Sequence, residues 1–249
     1  MALPLYLAMT AAELFRATAL PPKCAYMACH FSPYGTGLSN FPQNIPEDSM
    51  LILNDRMPVQ GHDPALVAEQ LTQCAQEWNA AAILMDFQRP DCPQTAQIAR
   101  AILDCCPCPA AISACYGEEI DCPVFLSPLP PDRRLEDHIA PWKGRELWLE
   151  AALDTQVITL TPKGSQITQC LSPAPADYPH EDAKLHIHYK IESAPDQVRF
   201  TLHRTPADLT ALLQEAEAMG ITHAIGLYQE LEILTHDHPI NSPISPAAG

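Results

Sequence analysis

Apolar residues fall in short runs, and the stretches between them carry helical spacing. Residues 3–8, 24–31, 50–55 and 81–88 each read as a strand of five to eight residues, apolar almost throughout. A strand covered on both faces has this pattern. Between them, Thr10 and Glu13 form a capping box that opens a helix over 11–17. Asp63-Pro64 starts a second helix, which runs to Trp78 with Leu66, Leu71 and Cys74 on or near one face. Cys92-Pro93 starts a third, to about residue 103, carrying Ile98 and Ile102. Residues 110–116 and 123–126 read as two further strands, and 145–153 contains another.

The rhythm then changes. Residues 157–160 and 167–171 flank the turn Pro162-Lys163-Gly164-Ser165 and read as a hairpin. Residues 184–192 and 198–204 read as a second. Thr205-Pro206 then opens a helix with Leu209, Leu212, Leu213 and Ala216 spaced along it, ended by Gly220. A last strand spans 223–228.

Strands alternating with helices predict a parallel sheet, and a count of about eight predicts closure. The expected fold is α/β: a distorted (β/α)8 TIM barrel with a small antiparallel hairpin insertion, about 155–204, before the last strand. The expected domain is single, 1–234, with a loose tail at 235–249. The 249 residues suit a barrel, typically ~250. An open doubly wound sheet is the rival, but no Gly-x-Gly-x-x-Gly follows the first strand and no phosphate loop is present. No cofactor is therefore expected.

Composition narrows the partners. With 14 basic and 30 acidic residues, the formal charge is −16, which opposes nucleic acid and anionic membrane. A neutral glycan or small molecule is indifferent to that field. The start of the chain has no basic segment ahead of its apolar residues, and no apolar run approaches the ~20 residues of a membrane span. The expectation is a cytoplasmic protein with reduced thiols. Its ten cysteines show no zinc-ribbon spacing. His186 with His188, and His236 with His238, lack an evident third ligand, so no metal is expected.

Side chains alternate along a strand. In 81–90, Ile83, Met85 and Phe87 would pack on the helices, while Leu84, Asp86 and Gln88 would point into the barrel. Asp86 and Gln88 would then lie at the carboxyl end, where barrel enzymes bind ligands. Asp55, Glu150 and Glu230 are the other acids near predicted strand ends. Tyr116 and Tyr228 are the aromatics there best placed to stack on a sugar.

The same stretch resembles the fourth barrel strand of the family 18 glycoside hydrolases, the chitinase-like family. Their motif runs Asp-Gly-x-Asp-x-Asp-x-Glu, usually followed by an aromatic and a proline. Ile83, Met85, Asp86 and Pro90 agree with it. Ala81, Ala82 and Leu84 replace the first Asp, the Gly and the middle Asp, and Gln88 replaces the catalytic Glu. The segment from Ala216 to Leu231 is similar to the family's last helix and strand, with Tyr228 at the position of the Trp that floors the sugar site.

The resemblance implies a barrel that binds an N-acetylglucosamine-containing or related glycan. In the family, the Glu protonates the leaving oxygen, the substrate's acetamido carbonyl attacks, and the Asp two residues earlier orients that group. A Gln amide cannot donate that proton, so the implied mechanism is impaired. Asp86 and Gln88 would contact the ligand, and Tyr228 would floor the site. Two alternatives stay open. One is an active glycoside hydrolase with its carboxylates reassigned among Asp55, Asp86, Glu150 and Glu230. A pair ~5 Å apart would be retaining, and one ~6.5–9.5 Å apart inverting. The other is a barrel enzyme acting on a small intracellular metabolite.

Overall fold

The computed structural model describes residues 3–90, 92–170 and 178–237. In chain order the elements begin β1 (Leu5–Met9), α1 (Ala11–Arg16), β2 (Cys24–Phe31), β3 (Leu38–Ser39) and β4 (Met50–Asn54). There follow α2 (Pro64–Glu77), β5 (Ala82–Asp86), α3 (Pro93–Cys105), β6 (Ala110–Ser113), α4 (Ala114–Gly117) and β7 (Val124–Leu126). Then come α5 (Leu135–Ile139) with a 3₁₀ turn (Ala140–Trp142), and β8 (Leu147–Ala151). Five antiparallel strands follow: β9 (Thr155–Thr161), β10 (Gly164–Cys170), β11 (His180–Asp182), β12 (Ile187–Ala194) and β13 (Gln197–His203). The described chain ends with α6 (Pro206–Ala218), β14 (His223–Leu227) and α7 (Tyr228–Asp237).

Eight parallel strands close a barrel in the order β1, β2, β4, β5, β6, β7, β8, β14, and β14 returns to β1. The expected (β/α)8 architecture is therefore present. The expected antiparallel insertion is present too, but it is one sheet rather than two separate hairpins. β9 pairs with β13 and joins them in the order β10, β9, β13, β12, β11.

The barrel is irregular. A regular barrel follows each strand with a helix. Here residues 32–49, between β2 and β4, carry only β3. The strand expected over 110–116 stops at Ser113, and the chain turns into α4, which carries Tyr116. The strand expected to end at Tyr228 stops one residue earlier, and Tyr228 opens α7. That helix carries 235–237 of the expected loose tail; the remainder lies outside the described residues, as does His238.

Parity sorts the core as the alternation predicts. Leu84 packs inside the barrel with Tyr6, Met50, Ile52, Phe125 and Trp148. Ile83, Met85 and Phe87 pack outside with Leu71, Ala99 and Ile102 of α2 and α3. A second outer core sets Leu149 of β8 against Leu209 and Leu212 of α6. Trp148 is fully buried within this inner cluster. A side chain that size fills the interior, which leaves room for a ligand only at the ends of the strands.

The insertion is fastened to the barrel by polar contacts. His186 Nε2 bonds Glu215 of α6, and His188 Nδ1 bonds Asp208 Oδ2 at 2.8 Å. Arg204, fully buried after β13, donates from Nη1 to the Leu129 carbonyl at 2.8 Å and from Nε to the His186 carbonyl at 3.4 Å. Burial lowers its guanidinium to about 10, opposed by the charges of Asp154 and Asp208. Among the described residues, no helix is long and apolar enough to cross a membrane, and no His, Cys, Asp and Glu cluster is fit to hold a metal.

Candidate functional site: the carboxyl end of the barrel

The inward positions nearest the carboxyl ends of β5 and β8 are Asp86 and Glu150. Glu150 lies two residues beyond Trp148 on the same strand face, and its register partner on β14 is Ile225. Asp86 lies two beyond Leu84, level with Asn54 of β4. The two carboxylates line one cavity of about 70 Å³, with Met27, Asn54, Phe125 and Leu227 among its walls. That volume is well below the ~300 Å³ of small ligand pockets. It admits a substituent such as a methyl amide. A sugar ring would have to sit outside it, on the rim.

Asp86 is held by its neighbours. Ser113 Oγ, at the end of β6, donates to Asp86 Oδ1 at 3.0 Å. Gln88 Nε2 donates to the same oxygen and lies 3.5 Å from Ser113 Oγ. Burial raises the Asp86 carboxyl above its usual range; these two hydrogen bonds oppose the shift and the charge of Asp55 adds to it. Among the described residues, no such hydrogen bond opposes the shift of Glu150. Burial first, then the charges of Asp86, Asp154 and Glu230, push it up to about 7.

The other sequence candidates stand around this pair rather than within it. Asp55, buried after β4, accepts the backbone N–H of Gln88 at 3.0 Å and of Arg89 at 2.8 Å. It fixes the chain as it leaves β5 and so aims Gln88. Glu230, in the first turn of α7, accepts the Leu153 N–H at 3.0 Å. Tyr116 is buried in the outer core; its hydroxyl donates to the Arg89 carbonyl at 2.6 Å and accepts from the Cys92 N–H at 3.3 Å. Tyr228 donates to Glu232 Oε1 at 2.7 Å, and its neighbour Leu227 lines the cavity instead.

Sequence reasoning passed over Ser113, Asn54 and Asp154. Ser113 was visible as a polar residue ending an apolar run, the same signal that marked Asp86. Asp154 gains its importance from position alone, between β8 and the insertion, where burial raises its carboxyl against the pull of Arg204.

No known family profile matches the chain, and no curated protein matches it in sequence. Its fold does match solved structures. A family 18 N-acetylglucosaminidase from Paenibacillus barengoltzii aligns with a TM-score of 0.56 at 9% identity, over 90% of this chain and 94% of that one. The spore cortex-lytic enzyme SleL of Bacillus cereus gives 0.54 at 10% identity, over 90% of this chain and 70% of that one. The family 18 chitinase of Cycas revoluta, solved in complex with (GlcNAc)3, gives 0.54 at 8% identity, over 90% and 94%. The likeness is one of fold: the (β/α)8 barrel that these enzymes share with this chain.

Proposed function

We propose that the mouth of this barrel binds a glycan bearing an N-acetylhexosamine, with little or no hydrolysis by the substrate-assisted mechanism of family 18. The observation that carries the reading is Gln88. It stands two residues after Asp86, its backbone held by Asp55, and its amide engages Asp86 and Ser113 at the carboxyl end of β5. An amide there can hydrogen-bond a sugar oxygen but cannot protonate one. Asp86 would accept an acetamido N–H, and the small cavity between Asp86 and Glu150 would take the acetyl group. The ring would rest on the rim beside Leu227, which is 44% exposed.

Calorimetric titration with chitotriose tests this. Wild type should bind, and Asp86→Ala should bind at least tenfold more weakly while melting as a folded protein. Equal affinity in the two proteins would sink the assignment of the site.

One observation favours a second reading, an active hydrolase with reassigned carboxylates. Glu150, raised to about 7, is half protonated near neutrality, as a general acid should be, and it shares its cavity with Asp86. This reading requires turnover with a bell-shaped pH profile, and Glu150→Gln should abolish that turnover. Wild-type hydrolysis that survives Glu150→Gln would exclude it.

A further inference from the structure

The amino-terminal face of the barrel, opposite the site just described, carries a sulfur pair that neither reading uses. α3 ends at Cys105 and the chain enters β6 at Ala110, through Cys106-Pro107-Cys108-Pro109. Three thiols within four residues could pair in several ways, and the local structure selects one. Cys105 Sγ turns back to the Ala101 carbonyl at 3.2 Å and lies 3.2 Å from Thr72 Oγ1 of α2. Cys106 Sγ points the other way. It lies 3.7 Å from Cys108 Sγ and 3.0 Å from the Cys108 carbonyl oxygen.

Two features keep the pair in place. The Cys106 N–H closes α3 by bonding the Ile102 carbonyl. Pro107 and Pro109 restrict φ on either side of Cys108. The pair is half-buried, so solvent reaches it, whereas Cys24, Cys29 and Cys74 are enclosed. A disulfide needs its sulfurs at about 2.05 Å, so less than 2 Å of approach separates the dithiol from the bond.

We propose that Cys106 and Cys108 form a reversible thiol–disulfide exchange site whose reactant is a small, low-molecular-weight disulfide. The Cys106 thiolate attacks one sulfur of that disulfide; its S–S bond breaks and one thiolate leaves with the electron pair. Cys108, giving its proton to solvent, then attacks Cys106 Sγ, and the second thiolate leaves. Two protein thiols are oxidised, one disulfide is reduced to two thiols, and the protons end on the released thiols. The Cys106 thiol donates to the Cys108 carbonyl, and either thiol can donate across the 3.7 Å contact between the two sulfurs. Attack from Cys108 with resolution by Cys106 would give the same disulfide. The assignment does not depend on what binds at the barrel mouth.

The test uses the full chain, reduced and then equilibrated with oxidised glutathione. Free thiols are alkylated and the peptides sequenced by mass spectrometry. In wild type, Cys106 and Cys108 should escape alkylation together, in a peptide two hydrogens lighter, and excess reduced glutathione should restore both. Cys105→Ser should behave as wild type. Cys108→Ser, which cannot resolve, should hold glutathione on Cys106. Alkylation of Cys106 and Cys108 in wild type after exposure to oxidised glutathione would overturn the proposal. A bond from Cys105 to either of them would overturn it equally. The wild-type result decides the matter even where a variant folds poorly.

Discussion

Replacing Glu150 by Gln should change how stability depends on pH, and the sign follows from its surroundings. The folded protein holds the Glu150 proton up to about 7, against an ordinary value of 4.5 in the unfolded chain, because burial and three acid neighbours oppose the charge. Between those two pH values the native state binds the proton more tightly than the unfolded state. Stability from this group is therefore greatest below pH 4.5, falls as pH rises toward 7, and is flat above. At about 1.36 kcal/mol per pKa unit, the ceiling is about 3 kcal/mol. Water at the open mouth reduces this, so roughly 1–2 kcal/mol is expected between about pH 5 and about pH 8.

Gln keeps the shape and cannot ionise. Urea unfolding of wild type and Glu150→Gln at both pH values gives the difference directly. The variant should gain relative to wild type on going to the higher pH. His138, His203 and His223, whose imidazoles burial holds low, contribute the opposite slope, since the native state resists protonating them as pH falls. They are common to both proteins and cancel. A stability difference that is the same at the two pH values would refute the account of Glu150.

Three further outcomes are expected. Arg204→Met removes the cation between Asp154 and Asp208 and the donors to the Leu129 and His186 carbonyls; breaking such a buried arrangement from one side should cost about 3–5 kcal/mol in urea unfolding, and a loss under 1 kcal/mol would contradict it. Asp55→Ala leaves the Gln88 and Arg89 N–H groups unpaired; it should destabilise by about 1–3 kcal/mol and weaken chitotriose binding, because Gln88 is no longer aimed. Thr205→Ala removes the side-chain acceptor of the Asp208 N–H at the start of α6; about 1 kcal/mol should be lost on thermal unfolding.

The barrel was legible because its strands are apolar on both faces, a pattern that survives without any knowledge of partners. β2 spans Cys24–Phe31, as its apolar run predicts, and the alternation in β5 correctly sent Leu84 inward and Phe87 outward. The polar signatures that cap helices, Thr10 with Glu13, Asp63 with Pro64 and Thr205 with Pro206, start helices in the structure. Local chemistry sufficed in each case.

What stayed hidden depends on distant contacts. Asp55 and Asp86 both follow apolar strands, and sequence cannot show that one accepts two backbone N–H groups while the other faces a cavity. Tyr228 has the spacing of a last-strand aromatic, yet β14 ends at Leu227 and the next residue starts a helix. Arg204 reads as the end of a hairpin. Its burial follows only from packing the five-stranded sheet against α6 and the barrel. Burial raises the Glu150 carboxyl first, and the charges of Asp86, Asp154 and Glu230, residues far apart in the chain that the closed barrel and its insertion gather, add to it.

The most direct test of the central claim is chito-oligosaccharide binding and hydrolysis by wild type and Gln88→Glu, side by side. The account predicts that wild type binds without turnover, and that the new carboxyl, beside Asp86 and Ser113, gives measurable hydrolysis. Binding by neither protein would contradict it, and would leave the chitinase-like barrel as a likeness of fold alone.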